Sequence, residues 1–186
     1  MRTTNIRLLP LAALFTALTA IGAFIKIPLP PYPVPMTLQT AFVFLCGLLL
    51  PRREAALSQL AYVLSGLMGL PVFISGGGIG YIFNPTFGYL IAFICGAPLL
   101  SVLAGKTLYQ NKMAAFTVGG LFIIVGIQLL GVAYFAFLSA VYLKTPLAFS
   151  RVVYLIVIFI PLDVIKFALA AALAKLLRKR IPALVP

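Results

Sequence analysis

Residues 114 to 142 run for twenty-nine positions, AAFTVGGLFIIVGIQLLGVAYFAFLSAVY, without one charged side chain. About 20 apolar residues in a helix already cross the hydrocarbon core of a bilayer. A second stretch of this kind covers 152 to 177, interrupted by charge only at Asp163, Lys166 and Lys175. The rest of the chain follows suit: 63% of its 186 residues are hydrophobic, 9% are charged, and the mean hydropathy is +1.19. A soluble domain carries about 25% charged residues. The composition therefore predicts a single all-α integral membrane domain over 1–186, embedded in the lipid bilayer.

Six spans are expected, at 8–25, 36–50, 54–69, 85–104, 114–142 and 152–177. Between the first two lies KIPLPPYPVP, whose prolines remove backbone donors and force extended geometry. The second span is short for a crossing, and the third carries Ser58, Gln59 and Ser65. Together they read as a short hairpin partly buried in protein. Six alternating spans put Arg2, Arg7, Arg52, Arg53, Lys106, Lys112, Lys175, Arg178, Lys179 and Arg180 on one side. Lys26, Lys144 and Arg151 fall on the other. Ten against three predicts both termini in the cytoplasm by the positive-inside rule. The net charge of +12 is then a topology signal, and no nucleic-acid partner is expected. The first apolar stretch is longer than the roughly 7–15 residues of a signal-peptide core, so it reads as a retained span.

Several chemistries are poorly served by this residue inventory. There is no histidine, which removes histidine-based dyads and triads and most zinc sites. Cys46 and Cys95 lack metal or redox spacing and read as small hydrophobes. No Gly-Lys-Ser/Thr ending follows GGGIG, so the chain should not hydrolyse ATP itself. With paired carboxylates also missing, the chain is expected not to be an enzyme and to need no cofactor or metal.

The polar residues that remain need a reason. Only two acids exist, Glu54 and Asp163, and Asp163 sits in IPLDVIKF with Lys166 three positions on. That spacing shares one helix face, and an aspartate within a span costs roughly 2.5–3.5 kcal/mol unless it faces the bundle interior or a wet cavity. It can be a self-satisfied ion pair locking the helix, or a carboxylate accepting N–H groups from a polar ligand while the lysine meets an acceptor. FNPTFGYL supplies a second cluster. Asn84 before Pro85 reads as a helix start, while GGGIG ahead of it lets a backbone approach a ligand closely. The proline-rich and glycine-rich connections fall on the outer side, are apolar, and read either as tight turns or as the lid of a pocket. In the first span Ala13 and Ala17, continued by Ala20 and Gly22, form a small-residue face that suits either internal packing or another membrane subunit.

GLPVF, GGGIGYIFNPTFGYL and PLDVIKF, in that order along nearly the whole chain, resemble the BioY family of biotin transporters. These are the substrate-binding (S) components of energy-coupling-factor (ECF) transporters. The resemblance implies the ECF S-component fold, a six-transmembrane-helix bundle, in the cell membrane. It also implies biotin as transported ligand, with a transmembrane coupling protein and two cytoplasmic ATPases as partners. The family's aspartate-xx-lysine motif falls on Asp163 and Lys166, and its Pro-Thr/Ser-x-Gly-aromatic motif on Pro85, Thr86, Gly88 and Tyr89. The expected ligand-binding set is Asp163, Lys166, Asn84, Thr86, Tyr89, Phe73, Tyr81 and Gly77, with Tyr134 a further wall residue by type. Asp163 and Asn84 would pair the ureido ring, and Lys166 would take its carbonyl or the valerate carboxylate. Ala13 and Ala17 would face the coupling protein. An S component for a different vitamin, a solitary biotin transporter without the ATPase module, and a purely structural subunit are the competing readings.

Overall fold

The computed structural model describes residues 8–28, 34–110, 112–142, 144 and 148–180. Arg2, Arg7 and the centre of the proline-rich connection lie outside them. The described residues form six α-helices: α1 (Leu9–Phe24), α2 (Gln39–Leu49), α3 (Arg52–Leu67), α4 (Phe87–Lys106), α5 (Met113–Val141) and α6 (Phe149–Arg180). Two-residue strands β1 (Lys26–Ile27) and β2 (Met36–Thr37) pair antiparallel between α1 and α2, with Lys26 opposite Thr37. Extended geometry was expected there, because proline forbids helix.

The helices divide by length. α4, α5 and α6 are long and apolar enough to cross a membrane, whereas α1 and α2 are shorter apolar helices. α2 has nine of its eleven residues buried, so its all-round hydrophobicity serves the protein interior rather than lipid. It packs against α6, α4 and α1. At Gly47, where a Cβ would lie 2.5 Å from the Ala97 carbonyl oxygen and 2.8 Å from Leu100 Cβ, α2 and α4 approach backbone to backbone. Residue 47 must therefore be glycine.

α3 is amphipathic in the inverted sense proper to a membrane. Glu54, Ser58 and Gln59 are buried while Leu57, Leu60 and Leu64 are exposed. The Thr16 hydroxyl donates to the Ser58 carbonyl at 2.9 Å, and Gln59 Nε2 donates to Thr19 Oγ1 at 3.4 Å. α1 is thus tied to α3 by its polar face, which leaves Ala13 and Ala17 exposed. Gly22 does not continue that outer face. It points inward, where a Cβ would lie 2.9 Å from both the Gln39 nitrogen and Phe42 Cδ2. Cys46 is buried as a small hydrophobe, but Cys95 is exposed on α4.

The connection from α3 to α4 folds back over the bundle end. A turn between Phe73 and Gly76 and a 3-10 turn at Ile79–Phe83 shape it. Gly76 and Gly78 have φ of 110° and 100°, the left-handed region that glycine enters freely. The Gly78 N–H donates to the Gly66 carbonyl at 2.7 Å. Lys26 Nζ donates to the Ile74 carbonyl at 3.1 Å, so the β1–β2 hairpin and this connection share one end of the molecule.

Candidate functional site

Beneath that shared end lies a cavity of about 400 Å³, counting its mouth. The hairpin contributes Val34, Pro35 and Thr37, and Ile74 comes from the α3–α4 connection. Gln39 and Thr40 open α2, Thr86, Tyr89, Leu90 and Phe93 open α4, Gln128 comes from mid-α5, and Phe159, Asp163 and Lys166 come from α6. α1 and α3 contribute no lining residue.

A connected polar group sits in this otherwise apolar wall. The three-residue spacing on α6 brings Lys166 Nζ to 2.9 Å from Asp163 Oδ1. Lys166 also donates to Thr40 Oγ1 at 2.8 Å and to the Thr37 carbonyl at 2.9 Å, which occupies its three N–H groups. Asp163 is 1% exposed. Its Oδ1 also accepts from the Thr40 hydroxyl at 2.9 Å, and its Oδ2 accepts from Gln128 Nε2 at 2.5 Å. A buried carboxylate is tolerable only when paired and hydrogen-bonded in this manner. An ion pair and a carboxylate at a cavity wall therefore coexist in one group. Lys166 is spent on its neighbours, while Oδ2 keeps unused acceptor capacity at the wall.

A second chain of hydrogen bonds leads from the cavity to its cover. Thr37 Oγ1 donates to Gln39 Oε1 at 3.2 Å, Gln39 Nε2 to Tyr62 Oη at 2.7 Å, and the Tyr62 hydroxyl to the Val72 carbonyl at 3.0 Å. Phe73 packs edge-on to Tyr62, 5.4 Å between ring centroids, and 4.5 Å from the Tyr81 ring. A Cβ on Gly66 would overlap the Phe73 ring, so a glycine on α3 makes the socket that holds the cover down.

Four of the eight residues expected at the site line the cavity: Asp163, Lys166, Thr86 and Tyr89. Asn84, Phe73, Tyr81 and Gly77 do not. Asn84 spends its side-chain oxygen locally, accepting from the Thr86 N–H at 3.0 Å and from the Thr86 hydroxyl at 2.8 Å. This asparagine turn delays the helix to Phe87, where a start at Pro85 was expected. The Tyr81 hydroxyl shares a 2.8 Å hydrogen bond with Thr86 Oγ1. Burial pushes its phenol above the usual range, with the Thr86 hydrogen bond opposing. Asn84 and Tyr81 thus orient Thr86, Phe73 supports the cover, and Gly77 is exposed. Tyr134 donates to the Ile82 carbonyl, fastening the connection to α5. The residues that sequence reasoning left without a role are Gln39, Thr40 and Gln128. The signal for Gln128 was present, as a lone amide in an uncharged run.

Among the described residues the arrangement holds no paired carboxylates and no cluster suited to a metal ion. Comparisons with known proteins agree. The BioY family model matches residues 1–183. The chain is 44% identical over 168 residues to the probable biotin transporter BioY of Lysinibacillus sphaericus, covering 90% of this chain and 83% of that one. It is 36% identical to the probable biotin transporter BioY of Bacillus subtilis strain 168, over 87% and 85% of the two chains. Among solved structures, the S-component for biotin from an ECF-type ABC transporter superposes with a TM-score of 0.80 at 29% identity, over 95% of both chains. The helical bundle, its apolar outer surface and a family match along almost the entire length lead to one assignment: this chain is a multi-pass membrane protein of the BioY family, with the S-component fold.

Proposed function

We propose that this chain captures biotin in the cavity beneath the hairpin and the α3–α4 connection, as the first step of biotin uptake across the cell membrane. The observation that carries the reading is the Asp163 carboxylate at the wall of an apolar cavity, fixed by Lys166, Thr40 and Gln128 with acceptor capacity left on Oδ2. Biotin offers ureido N–H donors to such a group. Its thioether ring suits walls made by Leu90, Phe93 and Phe159. Asp163, Thr86 and Tyr89 then contact the ligand. Lys166 holds the Asp163 carboxylate in place, and Asn84, Tyr81, Phe73 and Gly77 shape and cover the site.

In this reading a transmembrane coupling protein and two cytoplasmic ATPases drive transport. Support comes from the exposed Ala13 and Ala17 on α1, whose small side chains allow close helix approach in lipid. Basic residues support cytoplasmic termini. Arg52, Arg53, Lys106, Lys112 and Lys175 belong to the bundle end away from the cavity mouth, and Lys26, Lys144 and Arg151 to the mouth end. The mouth then opens outward.

Radiolabelled biotin binding to detergent-purified protein, beside Asp163→Asn and with riboflavin and thiamine as competitors, tests the reading. Asparagine keeps the size and removes the charge. Wild type should bind biotin unaffected by the competitors, and the variant should lose about tenfold or more, the worth of a hydrogen bond to a charged group. A folded wild type that ignores biotin refutes the substrate. Equal binding by the variant reduces Asp163 to a structural partner of Lys166.

A further inference from the structure

We propose that Gln128 and Tyr89 set the ring specificity of this site. The Gln128 amide oxygen accepts an N–H of the cyclic urea, and the Tyr89 hydroxyl donates to the urea carbonyl. The inference rests on the cavity being the biotin site, and it adds what reads the ring.

Its origin is a constraint on orientation. Gln128 Nε2 lies 2.5 Å from Asp163 Oδ2, and an ionised carboxylate can only accept. The donor end of the amide must therefore face Asp163, which turns Oε1 away from it. That oxygen is buried and has no hydrogen-bond partner, and the Tyr89 hydroxyl is in the same condition. Gln128 is 1% exposed and Tyr89 8%, and both line the cavity. Buried polar atoms are nearly always satisfied, so one unmatched acceptor and one unmatched hydroxyl on a single cavity wall await partners that arrive with the ligand.

Lys166 cannot take over this task. All three Lys166 N–H groups are engaged by protein acceptors. The Thr40 hydroxyl gives its proton to Asp163 and accepts from Lys166. The charge of Asp163 is thus converted into a fixed direction for the Gln128 amide. Tyr89 is held equally firmly. Its ring occupies the space where a Cβ on Gly131 would stand, and Phe159 lies 6.3 Å away. A cyclic urea carries N–H and C=O side by side and completes both groups. A ligand lacking either leaves a buried group unpaired, the situation in which polar sites discriminate most strongly.

The experiment compares biotin with its two cyclic-carbamate analogues, in each of which one ureido N–H is replaced by oxygen without added bulk. Binding is measured for wild type, Gln128→Met, Gln128→Glu and Tyr89→Phe. Wild type should favour biotin over one of the carbamates by about tenfold or more. In Gln128→Met that ratio should fall to about one, because the acceptor that senses the N–H is gone. Gln128→Glu keeps an acceptor oxygen and can share a proton with Asp163, so the preference should return. Tyr89→Phe should weaken biotin and carbamate alike and leave the ratio standing. A purely structural Gln128 would lower every affinity together with the ratio intact, and that result overturns the proposal. So does a wild type indifferent to both carbamates, which keeps the test decisive even where Gln128→Met does not fold. Biotin binding with an unchanged ratio overturns this proposal and leaves the cavity standing as the biotin site. Failure of biotin and both analogues to bind folded wild type sinks the site with it.

Discussion

Lys166→Met separates the two things the Asp163–Lys166 pair does. The two groups are 2.9 Å apart, with side chains 2% and 11% exposed. At an effective dielectric constant of about 20 their attraction is about 6 kcal/mol, from roughly 332/(20 × 2.9). Burying two ions costs several kcal/mol each, so the pair as a whole stabilises the fold little. Removing one member is another matter. It leaves a buried carboxylate with only Thr40 and Gln128 as donors, and breaking a buried pair costs about 3–5 kcal/mol. The two remaining hydrogen bonds put Lys166→Met at the lower end, about 3 kcal/mol. At this chain length, 1 kcal/mol shifts the midpoint by about 2–4 °C, so the drop should be about 6–12 °C. Asp163→Leu combined with Lys166→Met removes both charges and should return to within about 1.5 kcal/mol of wild type, since apolar replacement of a buried pair is often neutral. Thermal unfolding of ligand-free protein in one detergent at one scan rate measures both, with biotin binding alongside. The double variant should be stable and unable to bind. A double variant that melts as low as the single, or a single with no shift, refutes the reasoning.

Two further outcomes follow from packing. Gly47→Val should destabilise by about 3 kcal/mol, because its side chain meets the Ala97 carbonyl, a backbone group that cannot yield. Gly126→Ala, where nothing lies within 4 Å of the new Cβ, should be neutral or gain up to about 1 kcal/mol; equal melting of the two variants would contradict the α2–α4 contact. Ala13→Leu with Ala17→Leu should leave biotin binding unchanged while abolishing co-purification with the coupling protein and biotin uptake in cells. Loss of binding in that variant would mean that the face belongs to the fold instead.

What the sequence made legible was whatever depends on one helix at a time. Asp163 and Lys166 meet because three residues separate them on α6, and α5 declares itself by length alone. The residues that gained a role only in the structure depend on contacts that span the chain. Thr40 reaches Asp163 across 123 positions, and Gln128 reaches it across 35. No local pattern distinguishes them from other polar residues in apolar runs. Asn84 has a local task that its sequence neighbours do not announce: its side-chain oxygen accepts from the Thr86 N–H two residues on, within its own turn. Phe73 was placed on the cavity wall by residue type, but the socket over Gly66 on α3 captures the ring first.

The division of labour among the helices has a consequence for how such a subunit can evolve. Among the described residues, the cavity lining comes from α2, α4, α5, α6 and the two covering connections. α1 supplies none of it and touches the lining at Gln39, beside Gly22. It meets α3 through Thr16 and Thr19, while its opposite face shows Ala13 and Ala17 to the outside. Substitutions at Gln128, Tyr89 or Phe159 can therefore alter what the cavity accepts without moving the face proposed for the coupling protein. Distant sites with no shared partners vary independently. One route of communication remains, through Gln39, which lines the cavity and also lies under Gly22 at the end of α1. At Gln39 a change would be felt by cavity, cover and α1 together, because its amide also holds Tyr62 and, through it, the Val72 carbonyl of the cover.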